Sequence, residues 1–180
     1  MPNYHLSGIV PFELPLDDSP YLLILHADKQ PVHLTWVVEH LFYSLTYKKC
    51  DSDLPIEKIL KMIHIKKIPC LWIKLKQPSI HLNSERASEI FKQFPPLQAK
   101  QSCLDPIWQI LQVHYKIPQG KPLVFGLLES LSEHLLIEQI SSSFLPNSES
   151  GNFSLKRYEI DVVEDRIMKL QHFSSIRKNF

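Results

Sequence analysis

Apolar runs separated by polar breaks cover the first half of the chain, and their spacing predicts strands. Residues 21–26 and 32–38 are apolar stretches joined by Asp28-Lys29-Gln30-Pro31, a composition typical of a turn. A third run, residues 41–47, follows the polar pair Glu39-His40. A two-residue connection between the second and third runs predicts an antiparallel hairpin.

This predicted hairpin sets which side chains share a face. If Glu39 and His40 form the turn, Val38 lies opposite Leu41. The alternation of side chains along each strand then determines which other residues of the hairpin share a face. One face would carry four polar residues: His33, Thr35, Ser44 and Thr46.

The pattern then changes to a helical period. Asp53 is placed to cap a helix over residues 54–65, in which Ile56, Ile59, Leu60 and Ile63 form one stripe. Residues 68–75 predict the next strand, with Pro69 near its start. Asn83 or Ser84 can cap a short helix that ends at Phe94, before two prolines.

Helices dominate the predictions for the second half of the chain. Ser102 or Asp105 would cap a helix that extends to about residue 115, and further helices are predicted over residues 123–137 and 158–171. The serine-rich stretch 141–152 predicts a mobile loop.

Strands followed by helices indicate an α+β fold, with an antiparallel sheet packed by helices. We expect an α+β core over residues 1–120 and a helical extension, residues 121–180, packed on that core.

Composition narrows the classes of function. The 180 residues are 44% hydrophobic and 22% charged, with a net charge of +1, so no global field attracts nucleic acid. The sequence has neither the start of a signal peptide nor a run long enough to span a membrane, which predicts a soluble cytoplasmic protein. Six lysines between Lys58 and Lys76 fit solvated faces better than a nucleic-acid surface, so no nucleic acid is expected.

The cysteines and histidines give little support for metal binding. Three cysteines without a close pair argue against a zinc ribbon or a disulfide framework, and indicate reduced thiols. His26, His33 and His40 recur every seven residues, but that interval does not bring side chains together in strands and turns. We therefore expect neither a metal nor a cofactor.

One constellation carries specific chemistry. Cys103 lies at the predicted start of a helix, where the positive end of the backbone dipole favours a thiolate. A nucleophilic thiol also needs a histidine as base and a polar group to orient that histidine. His33 and either Ser44 or Thr46 are the candidates. The alternative is that Cys103 is a small buried core residue and His33 a structural sheet histidine.

The order of these residues resembles that of the circularly permuted papain-like cysteine hydrolases. This group contains permuted NlpC-type peptidases and lecithin retinol acyltransferase-like enzymes. The resemblance covers roughly residues 20 to 117 and rests on strand 33–38, the following run 41–46, and Ser102-Cys103. It implies a permuted papain-like core and a cysteine-dependent amidase, peptidase or acyl transferase. In such an enzyme Cys103 would attack an amide or ester of a small molecule or peptide, and His33 would take its proton.

Two other classes of function remain open. An interaction or accessory protein of the same fold would bind a protein partner through its sheet edge or its C-terminal helices. A nucleic-acid-associated factor would use the lysines from Lys58 to Lys76, and its affinity would fall steeply with salt.

Overall fold

A seven-stranded mixed sheet forms the centre of the structure, a computed structural model that describes residues 3–97, 102–120, 123–146 and 151–176. Its strand order is β2-β8-β7-β3-β4-β5-β6, and a separate antiparallel pair joins β1 to β9. Within the large sheet β2 and β8 are parallel and the other neighbours antiparallel. The strands are β1 Tyr4–Ser7, β2 Ile9–Pro11, β3 Tyr21–Leu25, β4 His33–Val38, β5 Leu41–Leu45, β6 Cys50–Pro55, β7 Cys70–Leu75, β8 Ile137–Ser143 and β9 Asn152–Leu155.

Five α-helices are described with this sheet, so the fold is α+β, as the sequence predicts. None of the helices among the described residues combines the length and apolar character needed to cross a bilayer. The helices are α1 Ile56–Lys66, α2 Ser84–Phe91, α3 Asp105–Ile110, α4 Val124–Glu133 and α5 Ile160–Ile176, and α3 continues into a π-helical turn, Leu111–Tyr115.

Helix α1 covers one face of the sheet. Its apolar stripe, Ile56, Ile59 and Ile63, is buried in one cluster with Leu23, Val37 and Trp72 from the central strands. The charged side chains of α1 project into solvent. The helical period seen in the sequence therefore corresponds to the contact between helix and sheet.

The other face of the sheet packs against α2, α3 and α4. Leu22, Leu34 and Leu71 from the strands share a larger cluster with apolar side chains of those helices. Ile107, Trp108, Leu127 and Leu128 are four of the fully enclosed helical members. Because both faces of the central strands are covered, β3 is buried at every position.

The predicted hairpin is confirmed. Val38 lies opposite Leu41, and Glu39 and His40 both have positive φ values, 48° and 60°. Two successive left-handed residues are the geometry of a tight type I′ turn, whose twist matches that of the strands.

Capping is predicted correctly at α2 and wrongly at α1. The Asn83 side chain accepts a hydrogen bond from the Arg86 N–H at 3.0 Å, which caps α2. At α1 the N-cap is Pro55, without a side-chain bond. Asp53 instead lies in edge strand β6, with φ of 60°, and its carboxylate accepts the Ser88 hydroxyl hydrogen at 2.8 Å.

The residues after 121 are not only helical, which corrects the predicted helical extension. Residues predicted as one helix over 123–137 form α4, and β8 then pairs with β7 along its length. The predicted loop 141–152 contains the end of β8 and the start of β9, and residues 147–150 lie outside the described residues. The main sheet therefore contains strands from both sides of the boundary expected at residue 120.

Candidate functional site

A cavity of about 660 Å³ opens at the end of the sheet where β4 begins and β5 ends. His33, Thr46 and Cys103 all contribute to its wall, together with apolar side chains such as Leu45, Val124 and Ile167. Three of the four site residues predicted from the sequence therefore border one space, although they come from separate parts of the chain. Exposed Lys29 and Arg166 also line it.

Cys103 lies in a turn immediately before α3, where two side-chain hydrogen bonds fix the backbone. The Asp105 carboxylate accepts a hydrogen bond from the Ser102 N–H at 3.0 Å, and the Ser102 hydroxyl accepts one from the Leu104 N–H at 3.2 Å. Both residues proposed as caps thus fix this turn, but the N-cap of α3 is Leu104, without a side-chain hydrogen bond, so the predicted cap at Ser102 or Asp105 is wrong. Cys103 itself precedes the first helical residue by two positions.

The environment of Cys103 favours the neutral thiol. Burial raises its pKa above the ordinary value, and the charge of Asp105 raises it further. Hydrogen bonds from the Leu34 N–H and from its own N–H act in the opposite direction without overcoming burial. The direction is therefore opposite to that expected from a helix N-terminus.

Cys103 lies beside strand β4. It packs in one apolar cluster with Leu34, and both residues line the cavity. Leu34 directly follows His33 in the chain.

Ser44, and not Thr46, contacts His33. The distance from His33 Nε2 to Ser44 Oγ is 2.8 Å, and Ser44 is 2% exposed. In the tautomer that carries its proton on Nε2, His33 donates to Ser44 and has Nδ1 as its basic nitrogen. Ser44 is therefore the residue that orients the imidazole.

The hydroxyl of Thr46 has a different role. It donates to the Lys49 carbonyl oxygen at 2.9 Å and accepts the Lys48 and Lys49 N–H groups, which closes the turn after β5. Thr46 contributes to the cavity wall, but its hydrogen bonds serve the turn.

His33 is neutral at physiological pH. Burial lowers its pKa to about 4, with a further decrease from the positive charge of His26 and a small opposing effect from Asp51. Burial disfavours the charged form of an imidazole because the ion loses its hydration. Cys103 and His33 therefore do not form a preformed thiolate–imidazolium pair.

The two side chains approach the cavity from different faces of the sheet. Leu34 belongs to the cluster on the face of α2, α3 and α4, against which Cys103 also packs. Side chains alternate along a strand, so His33, which directly precedes Leu34, projects toward the face that α1 covers. Ser44 projects toward the same face, because Phe42 belongs to the α1 cluster and Tyr43 to the opposite one. Because His33 is the first residue of β4, it still reaches the cavity at the end of the sheet.

Tyr158 is a cavity residue that the sequence did not reveal. It is 8% exposed and precedes α5, whose inner side chains Val163 and Ile167 also line the cavity. The sequence predicts the apolar stripe of α5 but contains no local signal for the place where that helix packs, since the contact joins distant segments.

No metal-ligand group is evident at this site. Across residues 3–97, 102–120, 123–146 and 151–176, no three His, Cys, Asp or Glu side chains come together in a group suited to a metal ion. His26 and His33 share the cavity, whereas His40 lies in the hairpin turn, with its Nε2 3.1 Å from Asp18.

Comparisons with models of protein families, with curated proteins and with solved structures found no match for this chain. Since a fold alone does not define an activity, the chemistry of the cavity is the observation that bears on function.

Proposed function

We propose that this protein is a cysteine hydrolase or acyl transferase that acts on an amide or ester, with Cys103 as nucleophile and His33 as general base. The observation that carries the proposal is the shared cavity: Cys103 and His33 both line it, and Cys103 packs in one apolar cluster with Leu34, the residue after His33. Ser44 would orient the imidazole through its 2.8 Å contact with Nε2. The permuted papain-like relationship would account for the chain order of these residues.

The reaction follows from the protonation states. Because both groups are neutral, His33 Nδ1 would accept the thiol proton as the sulfur attacks the carbonyl carbon, and not before. The tetrahedral intermediate would then expel the alcohol or amine, which takes its proton from His33. Water or another acceptor, deprotonated by His33, would release the acyl group and restore the thiol.

The test is acylation of the protein by 4-nitrophenyl acetate, followed by release of 4-nitrophenolate and by the mass of the intact protein. We expect one acetyl group per chain, located on Cys103 by peptide mapping and absent in Cys103→Ala. In His33→Gln the rate should fall by about 100-fold or more, the usual contribution of a general base.

Cys50 supplies the matched control. Its thiol is also half-buried and packs against the same small apolar cluster as Cys103, formed by Leu45, Leu97 and Ile167. Cys50→Ala should therefore leave the acylation rate unchanged. Acylation at Cys50 instead of Cys103, or an equal rate in His33→Gln, would refute the Cys-His mechanism.

A second candidate function is a non-catalytic interaction protein of the same fold. The raised pKa of Cys103 and the lowered pKa of His33 favour it, because both shifts oppose the charged forms that a thiolate–imidazolium pair needs. Their approach from different faces of the sheet favours it as well. This function predicts that no acyl adduct forms on Cys103 under any condition in which the protein stays folded.

A further inference from the structure

Tyr158 is a buried polar side chain that tertiary packing brings to the cavity that Cys103 lines. Its ring meets that of Phe125 edge-on, with centroids 5.1 Å apart, so packing holds the orientation of the phenol. Tyr158 is 8% exposed and lines the same cavity as the thiol.

The hydroxyl of Tyr158 keeps its proton in the cavity that it shares with Cys103, so it can donate a hydrogen bond. Burial raises its pKa well above the ordinary value, negative charge on Cys103 raises it further, and the Val32 N–H has the opposite, smaller effect. Tyr158 and Cys103 line the same cavity and pack in the same apolar cluster. The phenol therefore keeps its proton, and its O–H is the group it can offer to a ligand.

Nucleophilic attack by a thiol on a carbonyl needs such a donor. As the carbon–sulfur bond forms, the π electrons of the carbonyl move onto oxygen, and this charge develops next to the sulfur. The Cys103 amide N–H lies close to its own sulfur and is one donor at this position. Tyr158 contributes to the wall of the same cavity, on the segment that leads into α5.

We propose that Tyr158 is a catalytic residue whose hydroxyl donates a hydrogen bond to the substrate oxygen as it becomes an oxyanion. The phenol keeps its proton throughout, and the carbonyl reforms when the leaving group departs with the proton held by His33. This inference rests on the proposed function, because it assigns a role within the same acyl transfer.

Two reactions at the same sulfur separate this role from a structural one. Acylation by 4-nitrophenyl acetate passes through an oxyanion, whereas alkylation by iodoacetamide displaces iodide at a saturated carbon and does not. In Tyr158→Phe, which keeps the ring beside Phe125, we expect acylation to slow by about 100-fold to 1000-fold, as for other oxyanion donors. Alkylation of Cys103 should stay within about twofold of the wild-type rate.

Tyr115→Phe is the matched control. Tyr115 also has a pKa raised by burial, but its hydroxyl donates to the Lys76 carbonyl oxygen at 3.0 Å, outside the cavity lining. Both reactions should be unchanged in this variant.

The outcomes are distinct. Unchanged acylation in Tyr158→Phe, or an equal loss of acylation and alkylation, would overturn the role of Tyr158 while leaving the hydrolase intact. Alkylation without any acylation of the wild-type protein would overturn the hydrolase itself, and the role of Tyr158 with it.

Discussion

His33 shows how burial changes the chemistry of a single residue. Its imidazole is partly buried at the end of the sheet and hydrogen-bonds to Ser44 through Nε2, and this burial lowers its pKa to about 4. Between pH 6.5 and 4 the unfolded chain binds a proton at this position that the folded chain does not bind. The folded state therefore loses stability as the pH falls through this window.

We predict that His33→Gln reduces the pH dependence of stability. The pKa of His33 is 6.5 as a reference value for the unfolded chain and about 4 in the folded protein. This difference lowers the free energy of unfolding of the wild-type protein by about 2 kcal/mol between pH 7 and pH 5. Glutamine can keep a hydrogen bond to Ser44 without titrating. Urea unfolding of both proteins at the two pH values measures the difference, and identical pH dependence in the two proteins would contradict the burial of His33.

At the scale of elements, α1 is the helix most directly predicted from the pattern. Its isoleucine stripe is buried against the sheet, while the charged positions between them are solvated. Two isoleucines near its end differ sharply: Ile63 is 3% exposed and Ile65 is 67% exposed. The periodicity places both correctly, because only Ile63 belongs to the stripe.

This pair gives a direct test of the helix–sheet contact. Ile63→Ala should lower the free energy of unfolding by about 2 to 4 kcal/mol, from lost burial and the cavity that remains. Ile65→Ala should change it by less than about 0.5 kcal/mol, since its side chain is already in solvent. Chemical denaturation of both variants gives the comparison, and similar losses would show that α1 is rotated from the described orientation.

Strands β6 and β8 were not predicted, because their residues are mostly polar. β6 contains Asp51, Ser52 and Asp53 at the edge of the sheet, where one side of a strand faces solvent. β8 contains three serines, and its place in the sheet comes from backbone pairing with β7 and β2. Pairing of this kind leaves little signal in a hydrophobic pattern.

At the scale of the whole molecule, the residues after 121 complete the sheet and the core. β8 pairs along all of β7, and Val124, Leu127 and Leu128 of α4 are fully buried against the sheet. Removing them exposes both the edge of β7 and the apolar face that α4 covers.

We therefore predict that a chain cut after Gly120 does not fold into a stable domain. A chain cut after Leu155 keeps all nine strands and should still unfold cooperatively, with reduced stability from the loss of Tyr158 and α5. Thermal melting followed by circular dichroism, together with the dispersion of amide NMR signals, distinguishes the two. A cooperative transition in the shorter chain would support the boundary at residue 120 that the sequence suggested.

The sequence by itself determined the features that depend on local periodicity and turn chemistry. These are the α+β class, the Glu39-His40 hairpin, the buried stripe of α1 and the Asn83 cap, each of which follows from residues close together in the chain. From residue type and order it also predicted His33, Ser44, Thr46 and Cys103 as candidate site residues. Tertiary structure decided how these residues are arranged: Ser44 hydrogen-bonds to His33, and Thr46, Cys103 and Tyr158 line one cavity with His33. Burial in that cavity then reversed the expected ionisation of Cys103, because desolvation depends on surroundings that distant segments supply.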